Sequence, residues 1–326
     1  MIKGHGDDAY TYEQKMVSDF SSNICVPTHQ HRELMAHLAS RPELLSHYPE
    51  PEPWSLERKL AEHLGIDPTC VIVTSGATDA IYLVAQTFRL KPVIPAPTFN
   101  EYEDACRMYG PTKAGTAVWL CNPNNPTGHV YNHRQIELMM KQHDLAIVDQ
   151  SYEGYTISFV AYPRWACLQP NLLQIHSMTK TYGVPGLRLG FITAPPRLAE
   201  TLRRRLRPWA VSALAVEAGK YLLEHSRELR CQPDLAEARR LRSLLDHLDG
   251  ISVRPTMTNF MLCHIERPDL TALQLKDYLA ARHGMLIRDA SNFQGLTPQH
   301  FRVAAQTPLE DDALATAITQ FLNLQP

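Results

Sequence analysis

The chain has 326 residues, 44% of them hydrophobic and 20% charged, with 34 acidic against 32 basic side chains and a formal charge of −2. At about 100–200 residues per domain, that is room for two domains, or for one large α/β domain with a smaller companion. The balance of charge excludes a broad basic surface for nucleic acid, and the densest basic run, Arg203-Arg204-Arg205 with Arg207, reads as one solvated helix face. Seven scattered cysteines without a Cys-x-x-Cys argue against a disulfide framework or a zinc knuckle and fit a reducing cytoplasm. Of the fifteen histidines, the closest pairs, such as His29 and His31, lack the i, i+4 helical spacing and the glutamate of a zinc site, so no metal is expected. The N-terminus turns polar and acidic at Lys3 to Asp8, and no apolar run reaches the roughly 18 residues of a membrane span; neither a signal region nor a membrane partner is expected.

From about residue 55 helical patterns alternate with short apolar runs. A helix near Ser55–Leu64 precedes Val71-Ile72-Val73, and another follows Thr78. Next come Val118-Trp119-Leu120, a helix near His133–His143, Ala146-Ile147-Val148, Leu172 to Ile175 and Leu189 to Ile192. This alternation predicts a mostly parallel sheet covered by helices, with chemistry at the C-terminal ends of its strands. After Pro208 the pattern changes to long helices (about Ala213–His225, Leu235–His247, Thr271–His283 and Glu310–Leu322) around three short strands near Phe260–Cys263, Met285–Arg288 and Phe301–Ala304. The expected division is a large domain over 33–212, and a small α+β domain formed by 213–326 with an N-terminal arm over 1–32.

Four strand ends carry polar motifs. The first runs Val73-Thr74-Ser75-Gly76-Ala77-Thr78 into a helix. Such a turn is either a phosphate cradle, where glycine admits the ligand to unpaired N–H groups of the helix N-terminus, or a plain turn with a Ser or Thr cap. There is no Gly-x-Gly-x-x-Gly and no Walker motif, which argues against a dinucleotide or P-loop site. The second strand ends in Asn122-Pro123-Asn124-Asn125-Pro126-Thr127-Gly128, a stiff turn in its own right. The third delivers Asp149, followed by Tyr152. The fourth leads to Ser177-Met178-Thr179-Lys180, with Arg188 eight residues beyond the lysine.

Taken in this order, Ser-Gly-Ala-Thr, Asn-Pro-x-Asn-Pro-Thr-Gly, Asp-x-x-Tyr and Ser-x-x-Lys…Arg resemble the fold type I pyridoxal-phosphate enzymes of the class I/II aminotransferase superfamily, from about Tyr48 to Arg302. The resemblance implies an α/β fold with a helix-covered sheet and pyridoxal 5'-phosphate as cofactor. Lys180 would bond to it through a neutral amine, and Asp149 would keep its pyridine nitrogen protonated. Asn125 and Tyr152 would hydrogen-bond the ring oxygen and Phe99 would stack on the ring. Gly76, Ala77, Thr78, Ser177 and Arg188 would hold the phosphate, and the Asn125–Pro126 bond is expected to be cis. Tyr48 resembles the tyrosine that reaches the neighbouring subunit's cofactor, which implies a homodimer with shared sites.

Gly4-His5-Gly6-Asp7, Asp19 to Asn23 and Ile287 to Leu296 narrow the resemblance to the threonine-phosphate decarboxylase branch of cobalamin biosynthesis, a relative of the histidinol-phosphate aminotransferases. On that basis His5, Asn23, Arg288 and Arg302 would grip the phosphate and carboxylate of a small phosphorylated amino acid, and Lys180 would return a proton to Cα after carbon dioxide leaves. Without that context Arg288 reads equally well as a structural salt bridge. Two departures stand out: Asn23 is followed by Ile24-Cys25-Val26-Pro27 where the family has a second asparagine motif, and only nineteen residues separate Glu101 from Cys121, where relatives fit another strand. Gly110 to Gly115 reads as a junction at which a surface segment is missing.

Overall fold

The computed structural model describes residues 6–24, 30–158 and 160–324. Twelve strands occur among them: β1 (Ser18–Asp19), β2 (Val71–Thr74), β3 (Lys91–Val93), β4 (Thr116–Cys121), β5 (Leu145–Asp149), β6 (Leu172–Ser177), β7 (Gly190–Thr193), β8 (Ile251–Val253), β9 (Phe260–Ile265), β10 (Met285–Leu286), β11 (Arg288–Asp289) and β12 (His300–Ala304). Six form the main sheet in the order β2-β7-β6-β5-β4-β3. The run β3 to β6 is parallel, while β7 is antiparallel to both β2 and β6, so the sheet is mixed.

Alternation along the strands explains why helices cover both faces. Trp119 and Cys121 of β4 pack with Ile147 and Ile175 under the helices Gly76–Phe88, Glu101–Tyr109 and Pro196–Arg203. Val118 and Leu120, one residue out of phase, pack with Val148 and Leu172 under the helix His133–Gln142. The helix Ala213–Glu224, expected with the smaller unit, instead shares an apolar cluster with Leu56, Leu60, Val71 and Val73 beneath the helix Trp54–Leu64.

The second core lies under a four-stranded antiparallel sheet, β11-β12-β9-β8, covered by the helices Leu235–Asp246, Ala272–His283 and Pro308–Asn323. Met285–Arg288, predicted as one strand, splits between two sheets: β10 pairs with the N-terminal β1, and β11 pairs with β12. This split carries Phe20 into the second core. At the far edge of the main sheet the chain passes through Gly110–Gly115 as a hydrogen-bonded turn. Thr112 N donates to the Arg89 carbonyl at 2.9 Å and Lys91 N to the Gly115 carbonyl at 3.1 Å.

Arg203 corrects the reading of the basic run as a solvated face. Its guanidinium donates to Glu52 Oε2 and Glu57 Oε2, both at 2.8 Å, and to the Val71 carbonyl. Glu57 is buried and accepts from Val73 N, so the pair anchors the start of β2. Removing one partner of a buried ion pair leaves the other charge uncompensated. Arg203→Met is therefore expected to lower unfolding free energy by about 3 kcal/mol in a urea titration at neutral pH. Adding Glu57→Leu should recover most of the loss.

Candidate active site

The strand ends converge on one cavity of about 750 Å³. Parallel register sets Cys121 beside Asp149 and Asp149 beside Ile175, two residues before Ser177. Ala77, Thr78, Phe99, Asn125, Asp149, Tyr152, Ser177, Lys180, Arg188, Arg288 and Arg302 all line it. The last two come from the second sheet, where Arg288 and Arg302 stand directly opposite each other on antiparallel strands and so share a face. Gly76 and Asn23 are not among the lining residues, but each adjoins one that is: Gly76 lies against Arg188 and Asn23 beside Tyr152. His5 lies outside the described residues. Tyr48 does not reach the cavity: it is 86% exposed and packs beside Trp209, with ring centroids 5.6 Å apart.

The turn after β2 is built for close approach. The helix Gly76–Phe88 begins without a side-chain cap bond from Ser75; Ser75 N instead donates to Asp79 Oδ2 at 3.0 Å. Gly76 has φ +85°, and a Cβ there would stand 2.8 Å from the Arg188 guanidinium. Gly190 of β7 backs the same turn: its Cβ would meet Ala77 N at 2.7 Å. The motifs had not singled out Gly190. Arg188 itself is exposed to the cleft and donates to the Pro185 carbonyl at 3.2 Å.

Lys180 rises from the short helix Met178–Tyr182 just past β6. Its amine donates to the Ser22 carbonyl at 3.3 Å and lies 5.7 Å from the Tyr152 ring centroid. Burial, with Arg302 and Arg188 nearby, pulls its pKa down to about 8, against an upward pull from Asp7 and Asp19. Asp149 is buried and accepts from Ser151 N and from the Tyr102 hydroxyl, both at 2.8 Å. Burial pushes its carboxyl above the usual range, opposed by those bonds and by His176. Tyr152, pushed up to about 12 by burial, keeps its phenolic proton at neutral pH.

Arg302 is buried, donates to Asn125 Oδ1 and the Ser21 carbonyl, and lies over the Phe260 ring; its Nε has no partner among the described residues. Arg288 donates to the Asp289 carbonyl and, at 2.7 Å, to Asn292 Oδ1. Burial and Arg302 bring its pKa down to about 10, so it stays charged at neutral pH. Asn23 is fully buried with φ +57°. It lies beside the Tyr152 hydroxyl, yet neither amide atom makes a hydrogen bond of sound geometry among the described residues. The Asn125–Pro126 bond is cis, as are Ala96–Pro97 and Asn122–Pro123.

A lysine with a depressed pKa, a buried carboxylate, a helix N-terminus beside an arginine and two further arginines on one face define a pyridoxal-phosphate type of site at the C-terminal edge of an α/β sheet. The pattern of the aminotransferase class I and II family matches residues 17–114 and 111–319, and the chain belongs to that family. The two stretches meet at the Gly110–Gly115 turn. The chain is 34% identical to the crystal structure of L-threonine-O-3-phosphate decarboxylase from Porphyromonas gingivalis, with a TM-score of 0.88 over 94% of this chain and 100% of that one. It is 26% identical to the threonine-phosphate decarboxylase of Salmonella typhimurium, covering 94% of this chain and 91% of the relative. It is also 27% identical to the histidinol-phosphate aminotransferase of Parabacteroides distasonis, covering 83% of this chain and 85% of the relative. Pyridoxal 5'-phosphate is the cofactor. No helix among the described residues is long and apolar enough to cross a membrane.

Two outcomes follow from this geometry. Gly76→Ala forces a methyl group against Arg188, an overpacking of about 1–3 kcal/mol, and cofactor affinity measured by fluorescence titration of the apo-protein should drop about tenfold. The neutral fraction of the Lys180 amine grows as pH rises, so the rate of cofactor capture should climb through about pH 8 and level off above it. In Arg302→Met, which removes a neighbouring positive charge, the midpoint should move upward.

Proposed function

We propose that the protein is a decarboxylase of L-threonine O-3-phosphate, releasing carbon dioxide and forming (R)-1-amino-2-propanol O-2-phosphate for cobalamin biosynthesis. The observation that carries this reading is the pairing of Arg288 with Arg302 across β11 and β12 beside Lys180, which supplies one cavity with two anion clamps. A substrate with a carboxylate and a phosphate uses both. The identity with the Porphyromonas gingivalis decarboxylase supports the same substrate class.

The residues suit the cofactor on structural grounds: the cradle that a Cβ at Gly76 or Gly190 would fill, and the buried, unpartnered polar atoms of Asn23 and Arg302. Ala77, Thr78, Ser177 and Arg188 would hold its phosphate, with Gly76 giving access to the helix N-terminus. Asp149 would hold the proton on the ring nitrogen, Asn125 and Tyr152 would bond the ring oxygen, and Phe99 would cover one ring face. When bound, the cofactor supplies an electron sink for the pair left at Cα as carbon dioxide departs. Arg288, Arg302, Asn23 and His5 orient the substrate so that its Cα–carboxylate bond is the one weakened. Lys180, near half-protonated at about pH 8, would donate a proton to Cα in place of the departed carbon dioxide. We further infer a cytoplasmic homodimer in which the exposed Tyr48 reaches the neighbouring subunit's cofactor phosphate.

The likeness to histidinol-phosphate aminotransferases favours a second reading, transamination of a phosphorylated amino substrate on the same residues. Holoenzyme incubated with L-threonine phosphate alone should release carbon dioxide and aminopropanol phosphate. Turnover that depends on an added 2-oxo acid supports the aminotransferase instead. Arg288→Met, losing hydrogen bonds to an anion that are worth about 1.5–3 kcal/mol, should lower kcat/KM at least about tenfold.

A further inference from the structure

Tyr102 belongs to none of the motifs that mark the site, yet it touches the carboxylate on which the cofactor's electronics depend. It stands on the first turn of the helix Glu101–Tyr109, three residues past Phe99, and is completely buried. Its ring stacks on Trp119 with centroids 5.6 Å apart and meets Phe99 edge-on at 5.8 Å. From that clamp its hydroxyl donates to Asp149 Oδ2 at 2.8 Å, while Ser151 N donates to Oδ1 at 2.8 Å.

We propose that Tyr102 is a positioning residue for Asp149, holding its carboxylate charged and oriented toward the cofactor's ring nitrogen. The inference rests on the assignment of Asp149 to that nitrogen. Burial favours the neutral carboxylic acid, and a neutral acid stabilises a protonated ring nitrogen poorly. The two donated hydrogen bonds and the nearby His176 ring oppose that tendency. Other groups face Asp149 without competing for its charge. The Cys121 thiol and the Tyr152 phenol are each pushed up to about 12 and stay neutral near pH 7. Tyr102 is itself raised well above the ordinary phenol value, so its hydroxyl remains a donor across the working pH range. His176 is held by the Thr193 hydroxyl at 3.0 Å and lies 3.3 Å from Glu153 Oε2. Phe99 and Tyr102 thus extend one helix start to two parts of the cofactor site.

Tyr102→Phe keeps the stacked ring and deletes only the hydroxyl. It is compared with the wild type by titrating apo-protein with pyridoxal phosphate and with its analogue in which C–H replaces the ring nitrogen. Loss of a hydrogen bond to a charged group predicts about tenfold weaker binding of pyridoxal phosphate. The analogue's affinity should be unchanged, and the pH midpoint of the bound cofactor's visible absorption should move. Equal losses with both cofactors, or no loss with either, overturn the proposal. Trp119→Phe thins the stack but leaves the hydroxyl in place, and should retain the wild-type preference between the two cofactors; loss of that preference also counts against the proposal. Asp149→Asn separates the two levels of the argument. If it leaves the preference intact, the ring-nitrogen assignment fails and the Tyr102 role with it. If Asp149→Asn abolishes the preference and Tyr102→Phe does not, only the Tyr102 role fails.

Discussion

Positive charge held in a partly dry cavity is the constraint from which the site's other properties follow. Lys180, Arg188, Arg288 and Arg302 line one space; burial first, and then Arg302 and Arg188, disfavour the charged form of Lys180, as burial and Arg302 do for Arg288. The arginines have very high intrinsic pKa values and stay protonated, so the lysine yields, and its amine becomes available as the neutral nucleophile. Carbonyl oxygens of Ser21 and Ser22 take hydrogen bonds from Arg302 and Lys180 and offset part of the repulsion. The positive charge that remains suits a phosphorylated cofactor, and it would suit the doubly anionic substrate proposed above.

The fold meets that constraint by bringing two sheets to one cavity. The parallel run β4-β5-β6 supplies Asn125, Asp149 and Lys180 from successive strand ends. The antiparallel pair β11-β12 supplies the two arginines, and the pairing of β1 with β10 sets the N-terminal strand beside them, with Ser21, Ser22 and Asn23 following directly. Arg302 binds both Asn125, at the end of the first sheet, and Ser21, just past β1, so one guanidinium ties three parts of the chain together. The Glu57–Arg203 pair does comparable work at a distance, fixing the base of the strand whose tip is the Gly76 cradle.

Legibility in the sequence depended on whether a residue's role was set by its immediate neighbours. Asp149, Lys180, Asn125 and the Gly76 turn sit at strand ends bounded by apolar runs, and a strand end followed by a short polar motif can be read in one pass. Strands as short as β3 and β8, three residues each, carry too little periodicity to stand out. The antiparallel direction of β7 leaves no mark in its composition, because a buried strand is apolar whichever way it runs. Arg203 looked like part of a solvated face because its acidic partners lie about 150 residues earlier in the chain.

The sequence by itself pointed to the class of chemistry through four motifs in order: a lysine, an aspartate and an asparagine at successive strand ends, and a glycine at a helix start that would accept a phosphate. Those choices are local, since each depends on backbone conformation and on the element just before it. Only the tertiary structure decided that Arg288 and Arg302 face each other, that Gly190 must lack a side chain for the cradle to close, and that Tyr102 reaches Asp149. Each of these is a distance between segments remote in the chain, set by strand register and helix packing, and no local pattern of residues encodes it.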